Sequence, residues 1–325
     1  MRILVTGSAG HLGEALMRTL PGQGHEVIGL DILASPHTSV VGSVADRDTV
    51  RRSVAGVDAV VHCATLHKPH VESHTRANFI ETNIAGTLNL LEEAVAVNVS
   101  RFVFTSTTSA FGRALTPAPG QPAAWITEEV APVPRNIYGT TKLAAEDLCE
   151  LVARENRLPC LILRTSRFFP EPDDRDDVRR AYEDLNIKVN ELLYRRVDVE
   201  DIVTAVERAL ERAPGIGFGR YIISATSPFA RDDLIAIRTD LPSVVRRLYP
   251  DFEEIYSARG WRMFDAIERT YVNGRARSEL GWAPRYDFRF ALDRLAASED
   301  PRSPLARTIG AKGYHEVSTG IYTVR

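Results

Sequence analysis

The sequence predicts a doubly wound α/β fold, in which helices cover both faces of a mostly parallel sheet. Apolar runs that suit buried strands occur at residues 3–5, 26–31, 38–42, 57–63, 101–106, 158–164 and 220–224. Helical patterns separate most of these runs, and such alternation is typical of a parallel sheet. The first run leads directly into three glycines, Gly7, Gly10 and Gly13, spaced three residues apart. This combination predicts that the fold is organised around a ligand-binding loop at its first strand.

The glycine loop indicates a dinucleotide site. Glycines in this position allow a tight turn, a close approach of backbone to a pyrophosphate, and packing of the next helix against the strand. The helix N-terminus favours the negative phosphates. Asp31 ends the second run, eighteen residues after Gly13, which is near the offset at which a carboxylate binds a ribose diol. Because a carboxylate repels a 2′-phosphate and no Lys or Arg lies between Asp31 and Val44, we expect NAD rather than NADP.

Length and composition bound the remaining possibilities. The chain has 325 residues, with 44% hydrophobic and 26% charged residues and a formal net charge of −3. We therefore expect a large α/β domain with a smaller second domain and a small-molecule partner, without nucleic acid or an anionic membrane. The three cysteines form no CxxC pair, which favours free thiols and a cytoplasmic location. No apolar run approaches a membrane span, and no signal peptide is expected.

Helical periodicity is clearest in three segments. Residues 77–97 place Ile84, Leu88, Leu91 and Val95 on one predicted apolar face. Residues 138–154 form a second predicted helix. Residues 199–213 form a third, whose apolar stripe contains Ile202, Ala205, Val206, Ala209 and Leu210. Residues 114–135 hold five prolines and predict a loop over the site rather than a helix or strand.

Tyr138 and Lys142 form a candidate acid–base pair. They are four residues apart, so a helix places them on the same face. An ammonium group beside a phenol favours the phenolate, and we expect it to lower the tyrosine pKa from about 10 toward neutrality. The pair follows a strand that ends in hydroxyl residues, at 105–109. This position favours a catalytic interpretation over a chance pairing.

Three histidines, His67, His70 and His74, follow the fourth predicted strand. They suggest a metal cluster, but no carboxylate or thiolate set accompanies them in a known ligand spacing. We therefore expect no metal site, and interpret the segment as a loop that faces the substrate.

In order along the chain, these motifs resemble those of the extended short-chain dehydrogenase/reductase family, and more narrowly its NAD-dependent epimerase/dehydratase branch. The matching segments are Thr6 to Gly13, Val60 to Ala64, Asn83 to Thr87, Thr107 to Gly112, Tyr138 to Lys142, Arg195 to Asp201 and Glu279 to Pro284. The resemblance covers about residues 1–295. It implies a Rossmann-type sheet with a smaller, discontinuous C-terminal substrate domain.

The resemblance also implies roles for particular residues. Thr107, Tyr138 and Lys142 would be catalytic, with Tyr138 as the general acid/base. NAD would contact Gly7, Gly10, His11, Leu12, Gly13, Asp31, Ala64, Asn83, Tyr138 and Lys142. The implied domain division is residues 1–165 plus about 192–226 for NAD, and about 166–191 plus 227–325 for the substrate. The candidate substrate contacts are His67, Thr108, Arg167, Asn186, Lys188, Asn190 and Arg262.

Departures from the family pattern limit the substrate assignment. Thr108 and Ser109 stand where sugar 4,6-dehydratases carry an acidic pair, which makes dehydration unexpected. Arg167 replaces the usual Asn of an Arg-x-x-Asn pattern. It suits bidentate binding of a carboxylate or phosphate, although an ion pair with Glu171 or Asp173 is an equally ordinary interpretation.

The leading interpretation is an NAD-dependent epimerase that transiently oxidises a secondary alcohol of a sugar, with a nucleotide sugar as the expected substrate. An alternative is a net dehydrogenase or ketoreductase for a sugar or uronate, suggested by Arg167 and the run Pro170-Glu-Pro172. A non-catalytic NAD-binding protein is a third possibility, against which the intact catalytic set argues. The resemblance also implies a homodimer formed through helices near 77–97 and 138–154.

Overall fold

The structure, a computed structural model, describes residues 1–169, 171–172 and 175–312. Within them the strands are β1 (Arg2–Thr6), β2 (Glu26–Asp31), β3 (Val40–Val41), β4 (Ala59–His62), β5 (Arg101–Thr107), β6 (Ala124–Ile126), β7 (Cys160–Thr165), β8 (Arg167–Phe169), β9 (Arg196–Asp198), β10 (Phe218–Ile223) and β11 (Arg269–Tyr271). Seven strands form a parallel sheet in the order β10-β7-β5-β4-β1-β2-β3. The predicted doubly wound α/β class is confirmed, and each of its seven strands overlaps a predicted apolar run.

Helices cover this sheet and form much of the rest of the chain. They are α1 (His11–Thr19), α2 (Arg47–Val54), α3 (Arg76–Phe79), α4 (Gly86–Ala96), α5 (Ile137–Asn156), α6 (Asp176–Ala181), α7 (Asp184–Leu192), α8 (Val199–Ile216), α9 (Ala236–Thr239), α10 (Leu241–Leu248), α11 (Phe252–Ser257), α12 (Phe288–Ala296) and α13 (Pro304–Ile309). None of the helices in the described ranges has the length and apolar character needed to cross a bilayer.

Alternating side chains along each strand pack against helices on opposite faces of the sheet. Ile3 and Val5 of β1 belong to a core with α1 and α8. Leu4, between them, belongs to a second core with α2, α4 and α5. The chain leaves β1 toward β2 and β3 on one side, and β4 lies on the other side. This reversal next to β1 creates the crevice at the strand ends where ligands bind in such sheets.

The long helix predicted for residues 77–97 contains a π-helical segment, Ile80–Ala85, between α3 and α4. The predicted apolar face is only partly confirmed: Leu91 is buried, Val95 is half-buried against the same core, and Ile84 and Leu88 are half-buried. The buried positions of the π segment and α4 are Asn83, Gly86, Thr87, Leu90, Leu91, Glu93 and Ala94. A π turn carries one extra residue, so it rotates the downstream face away from a continuous α-helical period. By contrast, all five residues of the predicted stripe in α8 are buried.

The predicted loop at 114–135 contains a short strand, β6, which pairs in parallel with β11. A third apolar core joins this region to α7 and to α9 through α12. We keep the two-domain division as a proposal. Within the range assigned to the substrate domain, Ala276, Leu280, Trp282 and Ala306 pack into the core beneath the sheet, and residues 313–325 lie outside the described part.

Candidate active site

The glycine loop connects β1 to α1 through closely packed backbone. Gly7 has a φ of +73°, a conformation that glycine adopts without strain. A Cβ at Gly13 would lie 1.9 Å from the carbonyl oxygen of Gly7, so the first turn of α1 packs directly on the loop. Gly10, His11 and Leu12 complete the loop and line a cavity of about 820 Å³. A cavity of this size suits a small molecule or cofactor.

Asp31 lies at the end of β2, on the same cavity. Its Oδ2 accepts a hydrogen bond of 2.9 Å from the backbone N–H of Ala9. Its Oδ1 accepts another of 2.9 Å from the backbone N–H of Leu33. Burial raises the pKa of this carboxyl, and the backbone donors oppose the rise. The carboxylate is thus held beside the glycine loop, where it fits a ribose diol.

Ala64 also lines the cavity, directly after β4. Asn83 does not, and in this respect it departs from the predicted cofactor set. Its Oδ1 accepts from the N–H of Leu66 at 2.8 Å, and its Nδ2 donates to the Leu66 carbonyl at 2.9 Å. Nδ2 also donates to Thr141 Oγ1 at 3.0 Å. Asn83 therefore fixes the loop after β4 onto α5, and this contact explains why a polar side chain is buried in the π segment.

Two of the candidate catalytic residues, Thr107 and Tyr138, line the cavity, and Lys142 is buried beside it. Thr107 ends β5, and Tyr138 lies in the first turn of α5. The side chain of Thr107 lies close enough to the Tyr138 hydroxyl group to favour its ionised form. Lys142 lies one turn further along α5, and its Nζ donates to the Thr105 carbonyl oxygen at 2.6 Å. The same Nζ lies 3.9 Å from the centroid of the Phe104 ring.

The predicted lowering of the Tyr138 pKa by Lys142 was wrong for the protein without bound ligands. Burial raises the pKa of Tyr138 to about 12, and the side chain of Thr107 only partly opposes the rise. Burial also lowers the pKa of Lys142 to about 8. The ammonium group is directed at the Thr105 carbonyl, and desolvation outweighs the attraction between charges. Spacing along a helix identified the pair, but it did not reveal this burial.

Of the predicted substrate residues, His67, Thr108 and Arg167 line the cavity. The ring centroid of His67 lies 6.4 Å from that of Tyr138. Thr108 Oγ1 lies 3.4 Å from the Thr165 carbonyl oxygen, to which it donates. Arg167 Nη1 lies 3.9 Å from Glu191 Oε1. The sequence suggested an ion pair of Arg167 with Glu171 or with residue 173. The charge of Arg167 helps to lower the pKa of Glu171, and residue 173 lies outside the described part.

Asn186 and Arg262, also predicted as substrate contacts, are not among the residues that line the cavity. The backbone N–H of Arg262 donates to Asn186 Oδ1 at 3.2 Å. Asn190 Nδ2 donates to the Arg262 carbonyl at 3.0 Å. Lys188 forms an ion pair with Asp184 within α7. Asn186 and Asn190 therefore hold α7 to the segment around Arg262, while the ion pair of Lys188 lies within α7.

Sequence reasoning missed several charged and aromatic residues on the cavity wall, namely Glu171, Arg175, Arg195, Glu268, Arg269 and Tyr271. They come from segments far apart in the sequence, and all but Arg195 carry no local motif. The motif that contains Arg195 was recognised, but not as part of the cavity. Within the described residues, no group of three or more His, Cys, Asp or Glu side chains is arranged to hold a metal ion.

Glu191 is a buried carboxylate behind this wall. It is fully buried, and it forms ion pairs with the fully buried Arg196 and with Arg195. Arg196 Nε donates to Glu191 Oε2 at 2.7 Å, while Arg196 Nη1 donates to the Phe168 carbonyl at 2.6 Å. The ion pairs thus join α7 and β9 to the segment that carries Arg167.

The fold and this site define the class of protein, an NAD-dependent enzyme of the extended short-chain dehydrogenase/reductase type. The chain belongs to the NAD dependent epimerase/dehydratase family, whose sequence profile matches residues 3–223. A short-chain dehydrogenase/reductase superfamily protein from Agrobacterium tumefaciens, solved with bound NAD, aligns with a TM-score of 0.66 and 25% identity over 95% of this chain and 99% of that one.

Curated relatives have different activities. The chain is 26% identical to a 3-beta-hydroxysteroid dehydrogenase from Mycolicibacterium neoaurum, over 88% of this chain and 87% of that protein. It is 25% identical to a UDP-glucose 4-epimerase from Rhizobium leguminosarum bv. trifolii, over 88% of this chain and 93% of that protein. Other relatives are matched over only 39% to 57% of their length, with protein y4nG from Sinorhizobium fredii at 39%. Family membership therefore leaves the substrate open.

Proposed function

We propose that this enzyme is an NAD-dependent sugar epimerase, with a nucleotide sugar as substrate, that works by transient oxidation of a secondary alcohol. The observation that carries the proposal is that Thr107 and Tyr138 line the cavity, with Lys142 one turn further along the same helix as Tyr138. Bound NAD would accept and return the hydride. Its contacts would be the glycine loop and Asp31, whose geometry fits the adenosine half.

The protein residues would handle the proton and the orientation of the substrate. Tyr138 would accept the hydroxyl proton during oxidation and return a proton during reduction. Thr107, which lies beside Tyr138, would orient the reacting oxygen. Because burial holds the Tyr138 pKa at about 12 without ligands, the phenol is the resting form. Phenolate would therefore form only in the loaded site, where added positive charge lowers the tyrosine pKa.

The direct test is Tyr138→Phe, which removes the proton-transferring oxygen and keeps the ring. We expect turnover to fall by at least about 10³-fold, while NAD affinity stays within about threefold of wild type. Tyr249→Phe is the matched control, since Tyr249 lies away from the cavity wall. Full activity of Tyr138→Phe on the substrate of the wild type would remove Tyr138 from the mechanism.

Net oxidation of a sugar or uronate is the second candidate, favoured by Arg167 on the cavity wall. A panel of nucleotide sugars and uronates, followed by sugar analysis and by absorbance of NADH, separates the two. Changed sugar without accumulated NADH supports epimerisation. Stoichiometric NADH from one substrate supports the dehydrogenase.

We also propose a homodimer in the cytoplasm. Ile80 in the π segment and Leu151 in α5 are apolar side chains exposed by 49% and 37%, which supports an interface on these helices. All three cysteines are free thiols, which supports a reducing compartment. A monomeric mass by light scattering would contradict the dimer.

A further inference from the structure

Glu171 places a carboxylate on the wall of the reaction cavity. It follows β8 by two residues and lines the same cavity as Tyr138, with 22% of its side chain exposed. Its charge is one of the influences that raise the pKa of Tyr138, so the carboxylate lies within electrostatic range of the candidate reacting position. The mechanism proposed above gives this carboxylate no task.

The position of Glu171 is fixed from two sides. His11 Nδ1, at the start of α1, lies 3.5 Å from Glu171 Oε1. The Glu171 carbonyl oxygen accepts a 2.9 Å hydrogen bond from Nη1 of Arg196, which is itself held by Glu191. The side chain is therefore tied to the cofactor loop, and the backbone is tied to a buried ion pair. A group held in this way is preorganised to receive a ligand.

Glu171 is also held in its ionised form. Burial favours the neutral acid, but the hydrogen bond and charge of His11 and the charges of His67 and Arg167 together outweigh it, so that the pKa of Glu171 lies below its ordinary value. An ionised carboxylate only accepts hydrogen bonds. The Glu171 carboxylate stays partly exposed toward the cavity. A ligand that displaces water from this carboxylate therefore has to supply hydrogen-bond donors in its place.

We propose that Glu171 is a specificity-determining residue, which accepts hydrogen bonds from hydroxyl groups next to the reacting alcohol and so selects polyhydroxylated substrates. A sugar carries such vicinal hydroxyls. An apolar hydroxy compound, such as the steroid class named for one relative, would displace water from the carboxylate without donating a hydrogen bond to it. This inference rests on the proposed function and narrows its substrate class.

The test compares two substrates on the NAD-loaded enzyme. One is the sugar that the wild type turns over best, and the other is its analogue without the hydroxyl next to the reacting carbon. We expect the wild type to prefer the intact sugar by at least about 100-fold in kcat/KM, since sites built to bind a hydroxyl group reject analogues that lack it. In Glu171→Gln the preference should fall at least about tenfold, mostly through a higher KM for the intact sugar.

Glu211→Gln, a change at an exposed ion pair on α8, is the matched control and should keep the wild-type preference. If Glu171→Gln keeps this preference while turning over the sugar, the inference is wrong and the proposed function stands. If the wild type oxidises an apolar hydroxysteroid and no sugar, both fall. If Glu171→Gln does not fold, Glu171→Asp is the substitute test. It keeps the negative charge but shortens the side chain, so it should lose the same preference for the intact sugar.

Discussion

Replacing Lys142 with Met should make the protein more stable while it abolishes turnover. Lys142 is 2% exposed. Its ammonium donates a hydrogen bond to the Thr105 carbonyl and lies over the Phe104 ring, and the charge of Glu146 only partly opposes the cost of burial. Burial lowers its pKa from the ordinary 10.5 to about 8. At neutral pH the folded protein therefore carries a charge that its surroundings disfavour.

The size of the effect follows from this pKa. The difference between 10.5 and about 8 corresponds to about 3 kcal/mol of unfolding free energy, at about 1.4 kcal/mol per pH unit. Methionine removes the charge and keeps most of the volume, but it loses the hydrogen bond to Thr105, worth about 1 kcal/mol. The net expectation at pH 7 is a gain of about 2 kcal/mol for Lys142→Met.

The gain should depend on pH in a defined direction. Folded Lys142 loses its proton near pH 8, whereas the unfolded chain keeps it to about 10.5. Between these values the unfolded state binds more protons, so wild-type stability rises with pH relative to the variant. The excess stability of Lys142→Met should shrink by about 2 kcal/mol between pH 7 and about pH 9.5.

Urea unfolding of the nucleotide-free proteins at the two pH values measures both quantities. Arg208→Met, at a position with a 52% exposed side chain on α8, is the control and should show no such pH dependence. A Lys142→Met protein that is less stable than wild type at pH 7, or whose excess stability is the same at both pH values, would refute the burial argument. Activity of the variant on the wild-type substrate would refute its catalytic role.

Two further substitutions test the packing behind the site. In Gly13→Ala the new Cβ would meet the Gly7 carbonyl at 1.9 Å, so we expect at least about 2 kcal/mol lower stability and weaker NAD binding by calorimetry; wild-type values for both would contradict this. Glu191→Gln leaves the buried Arg196 guanidinium uncompensated, and urea unfolding should show a loss of about 3 kcal/mol or more. Glu26→Gln, at an exposed ion pair, should change stability by less than about 1 kcal/mol.

The sheet could be predicted well from the sequence because its signals are local. Each buried strand is a short apolar run, and glycine spacing reports backbone contacts within a single turn, as between Gly7 and Gly13. The spacing of Tyr138 and Lys142 likewise predicted that they lie on one face of α5. The spacing carries no information about burial, and for that reason the direction of the shift in the Tyr138 pKa was mispredicted.

Part of the cavity wall was harder to predict. Glu171, Arg195 and Arg269 all line the cavity although they lie in three separate segments, which tertiary packing brings together. Asn186 and Arg262 have the same polar character in sequence, yet they bond to each other behind the wall. Residue type alone does not distinguish a residue that lines the cavity from one that supports the fold, since a polar side chain can hydrogen-bond either to a ligand or to a neighbouring backbone group.

The π segment at Ile80–Ala85 has a consequence for the evolution of this helix. Each helical residue turns the chain by about 100°, so loss of one residue here would restore a regular helix and rotate one half relative to the other. Either Asn83 would lose its hydrogen bond to Leu66, or Leu90 and Ala94 would lose their places in the core that packs on the sheet. We therefore expect this stretch to accept substitutions across species more readily than a change in length.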